Sequence, residues 1–187
     1  YEAQNIQPNE IEENRLFIYS AKNEEQLKVY VKEHIQYLQD KKQDNTFSLE
    51  PYAYVLQTGR ESMEERLALP AKDVDQLLVL LQEYLDGKEK ASHYTGNKQS
   101  NSMFKVLNES TSWSEYERKI YTSKDYNTIA VLWVNGVDLD FRKLYEGRRP
   151  GKISIPKYPF AKTRYWLPIE DSVSSETLKK KLHPLID

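Results

Sequence analysis

Acid–base chemistry in this chain would have to rest on His34, His93 and His183, the side chains of the usual catalytic-base type. An active site also needs a nucleophile and a group that stabilises developing charge. The serines, threonines and tyrosines are scattered, and none sits in a strained G-x-S-x-G elbow. The sequence has no H-E-x-x-H, no carboxylate–histidine spacing of a metal site and no glycine-rich phosphate loop. Six glycines in 187 residues leave little for a cofactor cradle. Cysteine is absent, which excludes disulfides, thiolate zinc sites, iron–sulfur clusters and cysteine nucleophiles. The expectation is no catalytic residue, no metal and no cofactor.

Binding chemistry is a better match to the residues present. Arg148, Arg149, Lys152, Lys157, Lys162 and Arg164 interleave with aromatic rings. Such a strip can hold single-stranded nucleic acid. The stronger reading is a strap whose cations pair with an acidic protein surface while its rings fill grooves. Asp138, Asp140 and Glu146 have ligand chemistry, but helix capping and pairing with Arg142, Arg148 or Arg149 suit them better than a metal. Glu115, Glu117, Arg118 and Lys119 read as a solvated helix face. The contact alternative has Trp113, Tyr116, Ile120 and Tyr121 as apolar anchors.

Composition narrows the partners. Net charge is −2, so no global field draws nucleic acid or an anionic membrane. No apolar run approaches the roughly 20 residues that span a bilayer. The first residues have neither a basic start nor an apolar stretch, which speaks against a signal peptide. The lack of cysteine fits a reducing cytoplasm. Fourteen tyrosines against five phenylalanines suggest many half-buried contacts, with rings packed and hydroxyls wet.

Residues 1–15 are polar and acidic and read as a lead-in. Leu16–Ser20 is a short β-rich run. Asn23 with Gln26 marks a helix start, followed by Leu27, Val31, His34/Ile35 and Leu38 at helical spacing. His34 is expected at the flank of that face. Ser48 opens a second helix with Pro51 in its first turn, a stripe of Tyr52, Val55 and Leu56, and Gly59 as its stop. Arg66–Leu69 reads as a strand ending before Pro70. Asp73 with Gln76 opens a third helix, the most hydrophobic, closed by Gly87. Ala91–Tyr94 is expected as an edge strand, and residues 95–102 as a loop. Met103–Leu107, Trp113–Tyr121 and Tyr126–Val134 have helical spacing. Ser112 with Glu115 caps the second of these, Asp125 caps the third, and Gly136 ends it. Beyond Val137 three prolines within ten residues forbid a helix or a central strand, so the aromatics must lie along something as an extended strap.

These residues meet a family pattern. Gly136-Val137-Asp138-Leu139-Asp140-Phe141, Leu144-Tyr145, Arg148-Arg149-Pro150 and the run from Tyr158-Pro159-Phe160 to Arg164-Tyr165-Trp166-Leu167 resemble the linker that follows ketosynthase regions in modular polyketide synthases. That pattern is roughly G-x-x-x-D-W, L-Y, R-R and Y-P-F-x-x-x-R-Y-W. Phe141 departs from it where tryptophan is usual, and keeps an aromatic plug. Phe17–Lys22 and Tyr52–Arg60 are similar to the first strand and second helix of the flanking subdomain. Ala130–Gly136 is similar to the third helix of a triplet that carries side-by-side contacts between synthases. His183-Pro184-Leu185 resembles the opening of a dehydratase domain, without the H-x-x-x-G-x-x-x-x-P pattern of its catalytic histidine. There is no Asp-Ser-Leu carrier site.

The resemblance implies an α+β fold: a small antiparallel sheet covered by helices, then a three-helix insertion and an extended C-terminal strap. The implied segments are 1–15 lead-in, 16–95 flanking subdomain, 96–136 loop and triplet, 137–167 strap, and 168–187 tether. Only about fifty residues separate subdomain from strap, which resembles synthases whose acyltransferase acts in trans. Implied partners are the adjacent ketosynthase and dehydratase domains, with the separate acyltransferase, an acyl carrier protein and a neighbouring copy as further ones. Implied strap anchors are Phe141, Leu144, Tyr145, Tyr158, Phe160, Tyr165 and Trp166. Implied lateral contacts are Met103, Phe104, Trp113, Tyr116, Ile120 and Tyr121.

Overall fold

A computed structural model describes residues 14–44, 46–88, 93–98 and 113–159. Strand β1 (Arg15–Ala21) leads into helix α1 (Glu24–Lys41) and helix α2 (Leu49–Thr58). Strand β2 (Glu65–Ala71), helix α3 (Val74–Leu85) and strand β3 (Tyr94–Asn97) follow. Helices α4 (Trp113–Thr122) and α5 (Tyr126–Val134) precede a 3-10 turn at Phe141–Tyr145. The sheet is antiparallel throughout, in the order β1-β2-β3. This is the expected α+β class.

Helix starts follow the caps read from the sequence. Asn23, Ser48, Asp73 and Asp125 each accept a hydrogen bond from a backbone N–H of the first turn of the helix that follows. Helix Met103–Leu107 and its neighbour's Ser112 cap lie outside the described residues.

Strand residues are buried in an unbroken run, Leu16 to Tyr19 and Arg66 to Leu69, because both faces of the sheet are covered. On one face Phe17, Tyr19, Leu67 and Leu69 share a side through the pairs Phe17↔Leu69 and Tyr19↔Leu67. Helices α1 and α3 pack together there. The opposite side carries Ile18, Arg66 and Ala68, and α5 packs on it through Trp133. Along β1, Gln57 of α2 donates its side-chain amide to the Leu16 carbonyl at 2.6 Å, blunting an edge that would otherwise template another strand.

Two strand bounds need correction. Strand β2 runs through Pro70 to Ala71, because β3 pairs only with Glu65–Ala68 and leaves β2 with one neighbour at the proline. Strand β3 spans Tyr94–Asn97, so residues 95–97 of the expected loop are strand, while Ala91 and Ser92 of the expected edge strand lie outside the described residues. Helix α5 is part of the sheet's own packing: Ile129, Ala130 and Trp133 are buried in the common core. Gly96 permits this, since a Cβ there would meet the Val134 carbonyl oxygen at 2.5 Å. No helix among the described residues is long and apolar enough to cross a membrane.

Candidate interdomain contact site

The strap residues divide by where they pack. Asp140 caps the 3-10 turn, accepting from the Arg142 N–H at 3.2 Å, and pairs with the Arg142 side chain at 3.3 Å. That turn drives Phe141, Leu144 and Tyr145 into this chain's own core. Phe141 meets Trp133 nearly edge-on, with ring centres 6.2 Å apart. Tyr145 sits edge-on to Tyr54 at 4.9 Å and donates to Gln57 Oε1 at 2.8 Å. Burial pushes the Tyr145 hydroxyl pKa up, so it stays a neutral donor.

From the turn to Pro159 the described chain has no regular secondary structure, but it stays on the surface of the α/β body. Arg60 donates to the Pro156 carbonyl at 2.9 Å. Tyr158 donates to Gln26 Oε1 at 2.6 Å and accepts from the Lys22 backbone N–H at 3.1 Å. Its ring stands edge-on to Tyr30 at 5.9 Å. A partly open groove of about 420 Å³ lies beside it, with Ile18, Leu56, Met63 and Trp133 as floor and Arg60 and Lys157 at its rim. Phe160, Tyr165 and Trp166 lie outside the described residues.

The lateral-contact residues also divide. Ile120 and Tyr121 face inward and are buried, so they are not solvent-facing anchors. Trp113 and Tyr116 form a tilted pair with centres 5.9 Å apart, and Tyr116 is 46% exposed. Met103 and Phe104 lie outside the described residues. The supposed solvated face is corrected at Glu117, which is nearly buried and pairs with Lys143 at 2.6 Å. This bridge ties α4 to the 3-10 turn.

Behind the strap lies a buried polar cluster. His34, placed by expectation at a helix flank, is fully buried. Its Nδ1 and the Tyr52 hydroxyl are hydrogen-bonded at 2.6 Å, and the Tyr52 and Tyr19 hydroxyls at 3.0 Å. Burial, with Arg60's positive charge, lowers the His34 pKa to about 3, so the ring is neutral. Burial raises Tyr19 and Tyr52 as well. A neutral imidazole among protonated phenols has no activated nucleophile beside it, which makes this a structural network. His93 stands edge-on to Tyr84 at 6.3 Å, far along the chain from this cluster, and His183 lies outside the described residues. Among the described residues no three histidines, cysteines or carboxylates gather as metal ligands.

Sequence reasoning passed over three residues that matter here: Gln57, Arg66 and Trp133 as an anchor. Arg66 is buried, donates to the Trp133 carbonyl at 2.5 Å and to the Met63 carbonyl at 3.1 Å, and lies 4.9 Å above the Trp133 ring. Burial lowers its pKa, opposed by the charges of Asp138 and Glu64. The signal was available: a lone arginine at the head of the apolar run Leu67-Ala68-Leu69, and a glutamine on the buried side of α2 four residues after Ala53.

The described chain is a small layered body with its tail bound back on it through Tyr145, Pro156 and Tyr158. Residues 18–88 match the family described as RhiE-like, KS-MAT linker domain. Polyketide synthase PksL of Bacillus subtilis (strain 168) is 33% identical over 169 residues, covering 89% of this chain and 4% of PksL. The ketosynthase from module 6 of the bacillaene synthase of Bacillus subtilis 168 is 35% identical with a TM-score of 0.75, over 82% of this chain and 27% of that one. The ketosynthase from module 1 of the bacillaene synthase of Bacillus amyloliquefaciens FZB42 is 27% identical with a TM-score of 0.71, over 82% of this chain and 26% of that one. The chain thus spans a small part of the proteins it matches. It belongs to the ketosynthase-flanking linker family of polyketide synthases.

Proposed function

We propose that this chain is a non-catalytic structural and docking segment between the ketosynthase and dehydratase domains of a synthase whose acyltransferase acts in trans. One observation carries the reading: the strap after Val137 is bound back on the α/β body through Tyr145, Pro156 and Tyr158. A tail held in this way fixes the exit direction of the chain, so the domain that follows starts from a set place. A fixed pose raises the effective concentration at which a tethered acyl carrier meets its next domain. Among the described residues, Gln57, Arg66, Glu117 and Tyr158 are committed to bridging elements, which supports a body without chemistry of its own. The test is acyl transfer: the purified chain, given malonyl thioester and a carrier protein, is expected to transfer nothing, and turnover would overturn the reading.

The recruitment alternative has the separate acyltransferase docking on this surface. Calorimetric titration of that enzyme onto the chain separates the two roles, with heat and co-elution favouring recruitment. Lateral association is favoured by one feature, the exposed Trp113–Tyr116 pair. Tyr116→Ala is expected to abolish any concentration-dependent shift in sedimentation, and an unchanged shift excludes this pair as the contact.

A further inference from the structure

The groove beside Tyr158 joins an apolar floor to donors that lack an acceptor. Tyr30 lines it and is only 2% exposed, yet its hydroxyl is without a hydrogen-bond partner among the described residues. Burial raises the Tyr30 pKa, and the charge of the adjacent Arg60 guanidinium opposes the rise. A guanidinium can only donate, so Arg60 leaves the phenolic proton without an acceptor. A buried hydroxyl in that state calls for a group to meet it. The other hydroxyls at the floor are engaged: Ser20 accepts from the Met63 N–H at 3.1 Å and Ser62 from the Trp133 indole at 3.4 Å.

Two cations stand at the rim. Arg60 is exposed and gives one N–H to the Pro156 carbonyl, which leaves others to donate. Lys157 is exposed and has no ion pair among the described residues. Glu61 also borders the groove; its carbonyl accepts from the Ser20 hydroxyl at 3.4 Å, and its carboxylate pairs with neither cation. At about 420 Å³ the groove falls within the range of small-molecule sites, about 300–1,000 Å³. We propose that it binds a small anionic amphiphile, an aliphatic carboxylate. The chain lies on Leu56, Met63 and Trp133, the carboxylate accepts from Tyr30 and Arg60, and Lys157 adds charge at the rim. Lys157 and Tyr158 belong to the strap and the rest to the α/β body, so the ligand bridges the two. The site stands whether or not the chain is a docking segment.

Decanoate, titrated below its micelle concentration onto the full 187-residue chain and followed by nuclear magnetic resonance, tests the site. The Met63 methyl and the Trp133 indole N–H are expected to shift and saturate. Decanol has the same chain without the charge and is expected to bind at least about fivefold more weakly, since charge-assisted hydrogen bonds are the stronger ones. Tyr30→Phe removes an oxygen that holds no partner, so the fold is kept. It is expected to weaken decanoate about five- to tenfold and to leave decanol unchanged, a split that packing alone would not produce. Lys157→Gln is expected to weaken decanoate about two- to threefold and to reduce its salt dependence. Absence of shifts at Met63, equal affinity for the two ligands, or unaltered decanoate binding in Tyr30→Phe would each overturn the site. Overhauser contacts between Phe160 and Met63 in the ligand-free chain would make the occupant the chain's own continuation and overturn it equally.

Discussion

Burying a histidine among tyrosine rings has a consequence in acid. His34 has a pKa of about 3 when folded against an ordinary value of 6.5. Below pH 6.5 the unfolded chain therefore binds a proton that the folded chain refuses. Acid then favours unfolding, by up to about 1.4 kcal/mol per pH unit, until the pH nears the folded value. Asp44, held at about 2 first by its Thr46 and Lys41 hydrogen bonds, adds its own loss only below its ordinary 3.8. The window from about pH 6.5 to 4 thus isolates the histidine. Chemical denaturation across that window is expected to show stability falling with pH in the parent and a flatter profile in His34→Gln. A parallel slope in the variant would show that another group controls it.

Two other side chains hold the tail at this scale. Gln57→Leu leaves the Leu16 carbonyl and the Tyr145 hydroxyl without their partner and is expected to cost about 1–3 kcal/mol in a denaturant titration. Trp133→Ala removes the ring under Arg66 and beside Phe141 and is expected to cost about 3–5 kcal/mol. Neither residue's role was legible from its letter alone. Gln57 in an apolar stripe, and Arg66 in the strand under Trp133, look like exceptions until their partners, about 88 and 67 residues away, are in view.

At the scale of elements, helices α1, α2 and α3 were legible because each starts with a capping side chain and repeats its apolar residues at helical spacing. Strand β3 was not. Tyr94-Thr95-Gly96-Asn97 has weak strand propensity, and what makes it a strand is non-local: pairing with Glu65–Ala68, an Asn97–Glu65 side-chain hydrogen bond of 2.6 Å, and α5 lying against Gly96. Likewise α4 reads as a charged surface helix until Lys143 arrives from the strap to neutralise Glu117. Gly96→Ala tests the β3–α5 contact. Its new Cβ would collide with the Val134 backbone, which side-chain motion cannot relieve, and a loss of about 1–3 kcal/mol in thermal or denaturant unfolding is expected. Stability equal to the parent would show that α5 does not seat on β3.

Over the whole molecule, the sequence reading laid the strap back along the subdomain and a neighbouring ketosynthase. The proline-punctuated aromatics only required burial somewhere. The structure spends Phe141, Leu144 and Tyr145 on this chain's own core and rests Tyr158 against α1, so the linker body and its tail form one unit over the described residues. The claim at the centre of this account is that the tail needs no neighbouring domain to find this place. Nuclear Overhauser contacts between the Tyr158 and Tyr30 rings, in the isolated 187-residue chain, measure it directly. The account expects those contacts to be present and to weaken in Gln26→Ala, which removes the acceptor of the Tyr158 hydroxyl. Their absence, with the signals of β1 and β2 still those of a folded sheet, would mean that the strap is held by another body and would contradict the account.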